Sequence, residues 1–581
     1  MNFFKLFFAS CLGTIVGFLV LTGLSIMVLV SVSGSDGKLA IGDNSVLHLK
    51  LEGPISELEV DDPVSEILPG FSNQRHGLLQ IMEAIAFAKT DPKIKGIYLN
   101  TSRVMMGIAS VQEIRNALID FKQSGKWVIA YADFYTEGAY YLATAADKVY
   151  MYSEGDVEFN GLATDVVFFK KLFDKLEIKP EIFRVGDFKS AVEPFMRENL
   201  SDANKLQLNS MLYSIYGEML HGIADARKIP YEKLKEMSDK MVVRNAAQAV
   251  SNGLIDSLYY DDQIKDLLRG KLDLDKNARI PLVSYKKYKN SYTLTNSSVN
   301  EIAVIVADGE IIPGKADEGV GAVTIVEEIR KARNNDKVKA IVLRVNSPGG
   351  VFQAGDMMWR EIVLATKQKP VIASMGDYAA SGGYYLAMPC DTIVAQPTTI
   401  TGSIGVFGVM FDLSQFMDHK LGITSEEVKT GEIGEMMTMT RSLTDVEKGI
   451  MQKQVDEIYE TFTLKAAQGR SMTQDEIKKI ASGRVWTGSQ AKDNGLADVL
   501  GGFDDAVKIA AIKARVSDYK LRYYPQPRPF LEKILGAYED NAKVKALQKE
   551  LGVYYPWFRQ WEKIKNYQGI QARMGVEFEI K

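Results

Sequence analysis

Apolar and polar positions alternate in blocks along this chain. In the second half, an apolar run at residues 302–306 precedes a helical pattern over 323–332, and a second run at 340–345 precedes a helix over about 353–366. Strand-like runs follow at 370–374 and 392–395. Short β-rich runs alternating with helices of about 10–15 residues predict an α/β architecture with largely parallel strands. Reactive residues in such folds collect on the turns at the carboxyl ends of the strands.

The amino-terminal stretch breaks this pattern. No charged side chain lies between Lys5 and Asp36, and residues 6–32 are apolar nearly throughout. About 20 apolar residues suffice to cross a bilayer as a helix, so residues 1–35 are predicted to form an uncleaved transmembrane anchor. The rival is a cleaved signal peptide ending near Ser31-Val32-Ser33, whose apolar core would be shorter, about 7–15 residues. A lipoprotein site at Cys11, after Ala9 and Ser10, fits less well because the apolar run continues past it. Lys5 and the amino terminus favour a cytoplasmic start. In a bacterial cell the rest of the chain would then lie outside the cytoplasmic membrane.

The block pattern is written twice. Tyr140-Tyr141-Leu142-Ala143 recurs as Tyr384-Tyr385-Leu386-Ala387, and the same shift relates Asp147 to Asp391 and Gly161 to Gly405. Gln248-Ala249 and Leu254 return as Gln490-Ala491 and Leu496 at a shift two residues smaller, as loop insertions produce. The period is far too long for a solenoid and suits a duplicated domain. The expected division is an anchor (1–35), a first repeat (45–283), a polar linker (284–300), a second repeat (301–516) and a C-terminal arm (517–581) matching neither copy.

Composition narrows the chemistry. The 581 residues are 46% hydrophobic and 25% charged, which is ordinary for globular proteins, and the net charge of -4 offers no basic excess for a nucleic acid. Two cysteines, Cys11 and Cys390, and four scattered histidines supply no disulfide framework and no paired metal-ligand spacing. No metal and no cofactor is expected.

Two turns could carry chemistry. Asn346-Ser347-Pro348-Gly349-Gly350 follows a predicted strand, and its glycines could present bare N–H groups to an anion, although a plain strand-to-helix turn explains the local pattern equally well. Ser381 stands among small residues in Ala379-Ala380-Ser381-Gly382-Gly383, as a nucleophile needs, but an N-cap serine looks the same. The duplication sharpens the choice. At the Ser381 position the first copy has Glu137, and at 348–350 it has Val104-Met105-Met106. No histidine has an obvious place beside Ser381, so the base would be another group, and a lysine with a depressed pKa can serve. Lys189, in Gly186-Asp187-Phe188-Lys189, has Gly434 as its counterpart in the second copy.

At these residues the chain resembles the long form of the signal peptide peptidase A, or protease IV, family of membrane-anchored serine proteases. The likeness rests on the anchor, the tandem halves and the stretches NSPGG (346–350), ASGGYY (380–385), TGSIGV (401–406) and GDFKSAVEPF (186–195). It implies Clp protease/crotonase-like repeats, a Ser/Lys pair joining the two halves, a bowl-shaped homotetramer, and degradation of cleaved signal peptides in or at the membrane. Carried across, Ser381 would be the nucleophile, Lys189 the general base, Ser403 the residue orienting the lysine, and Gly350 and Gly382 the oxyanion donors. Acyl-CoA chemistry on the same fold and a non-catalytic tethered assembly are the competing readings.

Overall fold

The structure is a computed structural model. It describes residues 41–59, 75–292, 297–316, 319–525 and 569–574, with parts of 7–23. Most of the expected anchor and most of the C-terminal arm lie outside the described residues. Among those described, no helix is long and apolar enough to cross a membrane.

The first half alternates β1 (Ser45–Leu49), α1 (Leu78–Thr90), β2 (Ile94–Leu99), α2 (Ile108–Lys122), β3 (Trp127–Ala132), α3 (Glu137–Ala143) and β4 (Lys148–Met151), then β5 (Lys179–Arg184) and the long α4 (Asp202–Arg227). Its sheet runs β4-β3-β2-β1, flanked by Ser257–Leu258 and Leu282–Ser284, with every pairing parallel. The second half repeats the plan: β6 (Glu301–Asp308), α5 (Ala322–Asn334), β7 (Val338–Ser347), β8 (Gly349–Val351), α6 (Phe352–Thr366), β9 (Val371–Ala380), α7 (Gly382–Ala387) and β10 (Thr392–Ala395). Then come β11 (Phe407–Asp412), α8 (Asp445–Arg470), α9 (Phe503–Ala514) and β12 (Gly569–Arg573). Here β6, β7, β9 and β10 are parallel neighbours.

Alternation inside the strands explains the unbroken apolar runs. Ile302, Val304 and Val306 join one buried cluster with Leu47, Leu99 and Val128 of the first sheet. Ala303, Ile305 and Ala307 face the other way, onto Ile325, Ile329, Met358 and Ile362 of α5 and α6. A parallel strand buried on both faces has no polar side to show. β9 runs six residues past the expected end at Ser374. There Tyr378, Ala379 and Ala380 pair with the short strand Ile400–Gly402, which a purely apolar criterion does not see.

The residues that recur between the halves hold the fold. Asp147 accepts from Val128 N–H at 2.8 Å, and Asp391 accepts from Val371 N–H at 2.8 Å. Tyr140 donates to the Leu254 carbonyl and Tyr384 to that of Leu496. Lys126 reaches the carbonyls of Ala88 and Asp91, and Lys369 those of Ala332 and Asn335. The expected linker is less solvated than its polarity implies. It opens with a short helix, Tyr285–Lys289, whose Tyr285 and Tyr288 are buried against the first core.

Two features lock the repeats together. In a third sheet, β5 of the first half lies antiparallel to β11 of the second, with Arg184 opposite Phe407. In the second sheet, Arg344 of β7 is fully buried and donates to both oxygens of Glu57 at 2.8 and 3.0 Å and to Glu113 at 2.7 Å. One guanidinium thus serves two carboxylates from the other repeat. Burial pushes both carboxyls up, Glu57 to about 8, against the pull of Arg344.

Candidate active site

Ser381 stands at the bend between β9 and α7, with φ +54° and ψ -112°. A non-glycine residue there costs on the order of 1–3 kcal/mol and marks a backbone held by its surroundings. Its N–H donates to the Gly402 carbonyl at 2.8 Å, and the side chain is buried among second-repeat elements.

Lys189 comes from the other half, just after β5. Because β5 pairs with β11, the loop that follows it is carried across to the carboxyl ends of the second sheet. Lys189 Nζ lies 2.9 Å from Ser381 Oγ across 192 residues of sequence. It donates to the Ser403 carbonyl at 3.0 Å and contacts Ser403 Oγ at 3.1 Å. Burial alone holds the ammonium well below the usual lysine range. A neutral amine has two N–H bonds and one lone pair. With both N–H bonds directed at Ser403, the lone pair is left for the Ser381 hydroxyl.

The structure therefore brings Ser381, Lys189 and Ser403 together. Gly382 opens α7 beside them, and Gly349 is so close that a Cβ on it would fall 2.7 Å from Gly382 N. Gly350 sits next along, where a Cβ would strike the Ile311 carbonyl oxygen at 2.0 Å. Gly434, by contrast, lies in an exposed turn. Strand β12, from the arm whose role the sequence leaves open, runs antiparallel between β8 and β11 with Ala572 opposite Gly350. The Ala572 carbonyl oxygen would lie 2.9 Å from a Cβ on Gly382, so this cleft accommodates an extended peptide backbone. Among the described residues, no group of His, Cys, Asp or Glu could hold a metal ion.

Glycine at 349 is required by space and conformation together. Its φ is +102°, and a Cβ would fall 2.2 Å from the Ala572 carbonyl oxygen. Gly349→Ala is expected to cost about 1–3 kcal/mol in thermal unfolding and to abolish acylation of Ser381 by a serine-directed probe. A variant as stable and as reactive as the parent would contradict this geometry.

The supports of Lys189 escape the sequence reading. Gly483 presses on the lysine backbone so closely that a Cβ would meet Lys189 N at 2.7 Å, and Gly405 lies against its side-chain stem. Gln207 of α4 donates to the Phe188 carbonyl at 3.1 Å and to Ser190 Oγ at 3.0 Å, fixing the loop from below. One signal was available. The counterpart of Gly483 in the first copy is Met241, also at positive φ but with a side chain.

Comparison with known proteins follows the same division. The model of peptidase family S49 matches residues 120–275 and 364–517, two segments whose starts are offset by 244. The chain is 34% identical to the chloroplastic serine protease SPPA of Arabidopsis thaliana, over 92% of this chain and 78% of that one. It is 37% identical to protease 4 of Salmonella typhi, over 80% of this chain and 76% of that one. Protease 4 of Haemophilus influenzae is 32% identical, over 90% of each.

Proposed function

The chain belongs to peptidase family S49 and is a serine protease, and we propose that it is a membrane-anchored endopeptidase using a Ser381/Lys189 pair to degrade cleaved signal peptides and other apolar peptides. The observation that carries this reading is the Lys189 amine: buried, depressed by burial, and 2.9 Å from a hydroxyl of the other repeat. In each cycle neutral Lys189 takes the Ser381 proton and the alkoxide attacks a peptide carbonyl. The Gly350 and Gly382 N–H groups hold the oxyanion, and Ser403 keeps the amine aimed. The lysine then protonates the leaving amine, and a water deprotonated by the same amine releases the acyl-enzyme. The substrate would lie along β8 in the place of β12, which would have to give way to it.

The remaining parts of the proposal rest on the sequence. They are a Clp protease/crotonase-like fold for each repeat, an N-terminal helix in the cytoplasmic membrane with the catalytic region on the extracytoplasmic side, and a homotetramer needing no cofactor. The test is the detergent-solubilised chain, parent and Ser381→Ala, incubated with a released signal peptide. The parent should cut it and form an acyl adduct at Ser381 that Lys189→Ala cannot form. A peptide left intact by the parent would overturn the reading.

The lysine also sets a pH dependence. The base must be neutral, and its folded pKa lies below the ordinary 10.5, so kcat/KM is expected to rise with pH through that depressed value and then level. Between the folded value and 10.5 the unfolded chain binds a proton the native one does not, so stability also rises with pH in that window. A pH–rate profile with no basic limb would remove Lys189 from the role.

A further inference from the structure

The first repeat keeps a cavity at the position matching the catalytic cleft. Its volume is about 620 Å³, and Val104, Met105, Ile108, Leu162, Ile215 and Ile400 form its apolar walls. Met105, at the position of Gly349, is bridged in parallel to Pro54, and Gly350, one residue further on, is bridged in parallel to Ile311 in the other repeat. The edge that accepts a strand in the second repeat therefore has a counterpart here, and Met105 on it is 55% exposed.

Glu137 also lines this cavity, at the position Ser381 holds in the other half. It is 5% exposed, and Oε2 accepts from Gly161 N–H at 3.1 Å. Its Oε1 is buried without a hydrogen bond. Burial pushes the carboxyl up to about 7, while the Tyr216 hydroxyl and the Asn160 and Gly161 N–H groups pull it down. No nucleophile replaces Ser381, and none of Val104, Met105 and Met106 has the left-handed backbone of Gly349.

We propose that this cavity is a second, non-cleaving peptide site, which takes an extended aliphatic peptide segment along Met105. The occupant follows from the wall chemistry and from β12, a peptide strand seated on the matching edge. Methionine adapts to varied aliphatic side chains, and Arg103, Glu158 and Asp377 are the other charged residues of the lining. The inference rests on the reading of the enzyme as a protease of apolar peptides. It adds that one chain holds its substrate at two places and cuts at one.

The test uses the full chain carrying Ser381→Ala and a leucine- and alanine-rich peptide bearing a benzophenone crosslinker. Crosslinks are expected within residues 103–108 as well as within 347–351, and Met105→Asp should cut the first set about tenfold while sparing the second. The exposure of Met105 makes the substitution compatible with folding, and an unchanged melting temperature checks this. Crosslinks confined to the second repeat, or a first set that survives Met105→Asp, would overturn the second site. Failure of the parent chain to cut a peptide that crosslinks at both places would instead count against the protease reading alone.

Discussion

Ser381→Ala and Lys189→Ala are each expected to lower kcat/KM on the order of 10⁴-fold or more, and the double variant no further than either alone. The non-additivity is the informative part. If the amine acts only by activating the hydroxyl, removing it has nothing left to damage once the hydroxyl is gone. Lys189→Arg should fail as completely, because a guanidinium does not give up its proton in a protein and the glycine-lined slot at 405 and 483 has no room for its fork. Measured on a fluorogenic peptide at alkaline pH, an Lys189→Ala enzyme keeping a tenth of the parental rate would dismiss the pairing.

The second large effect is on stability. Arg344→Leu is expected to cost about 3–5 kcal/mol, because it leaves Glu57 and Glu113 buried without their common partner. Removing an exposed pair such as Lys235 with Asp239 should leave stability nearly unchanged, because solvent screens the two charges. Placing Arg344→Leu in a Glu57→Gln, Glu113→Gln background should recover part of the loss, since neutral amides are less costly to bury. Urea unfolding of the three chains measures both statements. A loss as small as that of the exposed pair would show that the cluster relaxes or admits water.

Much of this was legible in the chain, and for identifiable reasons. The second-repeat strands and helices are apolar runs and amphipathic patterns with little competition, so β6, α5, β7 and α6 fall within a few residues of their expected bounds. The recurrence of Asp147, Tyr140 and Lys126 marks the residues that hold backbone groups, and what only one copy carries points to Ser381 and Lys189. Other features were hidden because their cause is long-range. The antiparallel pairing of β5 with β11 depends on two strands far apart in sequence, and nothing local in Lys179–Arg184 announces its partner. Gln207 supports the lysine loop from a helix whose pattern reads as ordinary surface and core. The helix at Tyr285–Lys289 reads as linker in the sequence because two tyrosines three residues apart are too short a pattern to register.

On the proposed Ser381/Lys189 pairing, the ladder between β5 and β11 is what brings together two groups that neither half of the polypeptide holds by itself. Produced as two separate chains, one would hold the amine and the other the hydroxyl, and catalysis would report their reunion.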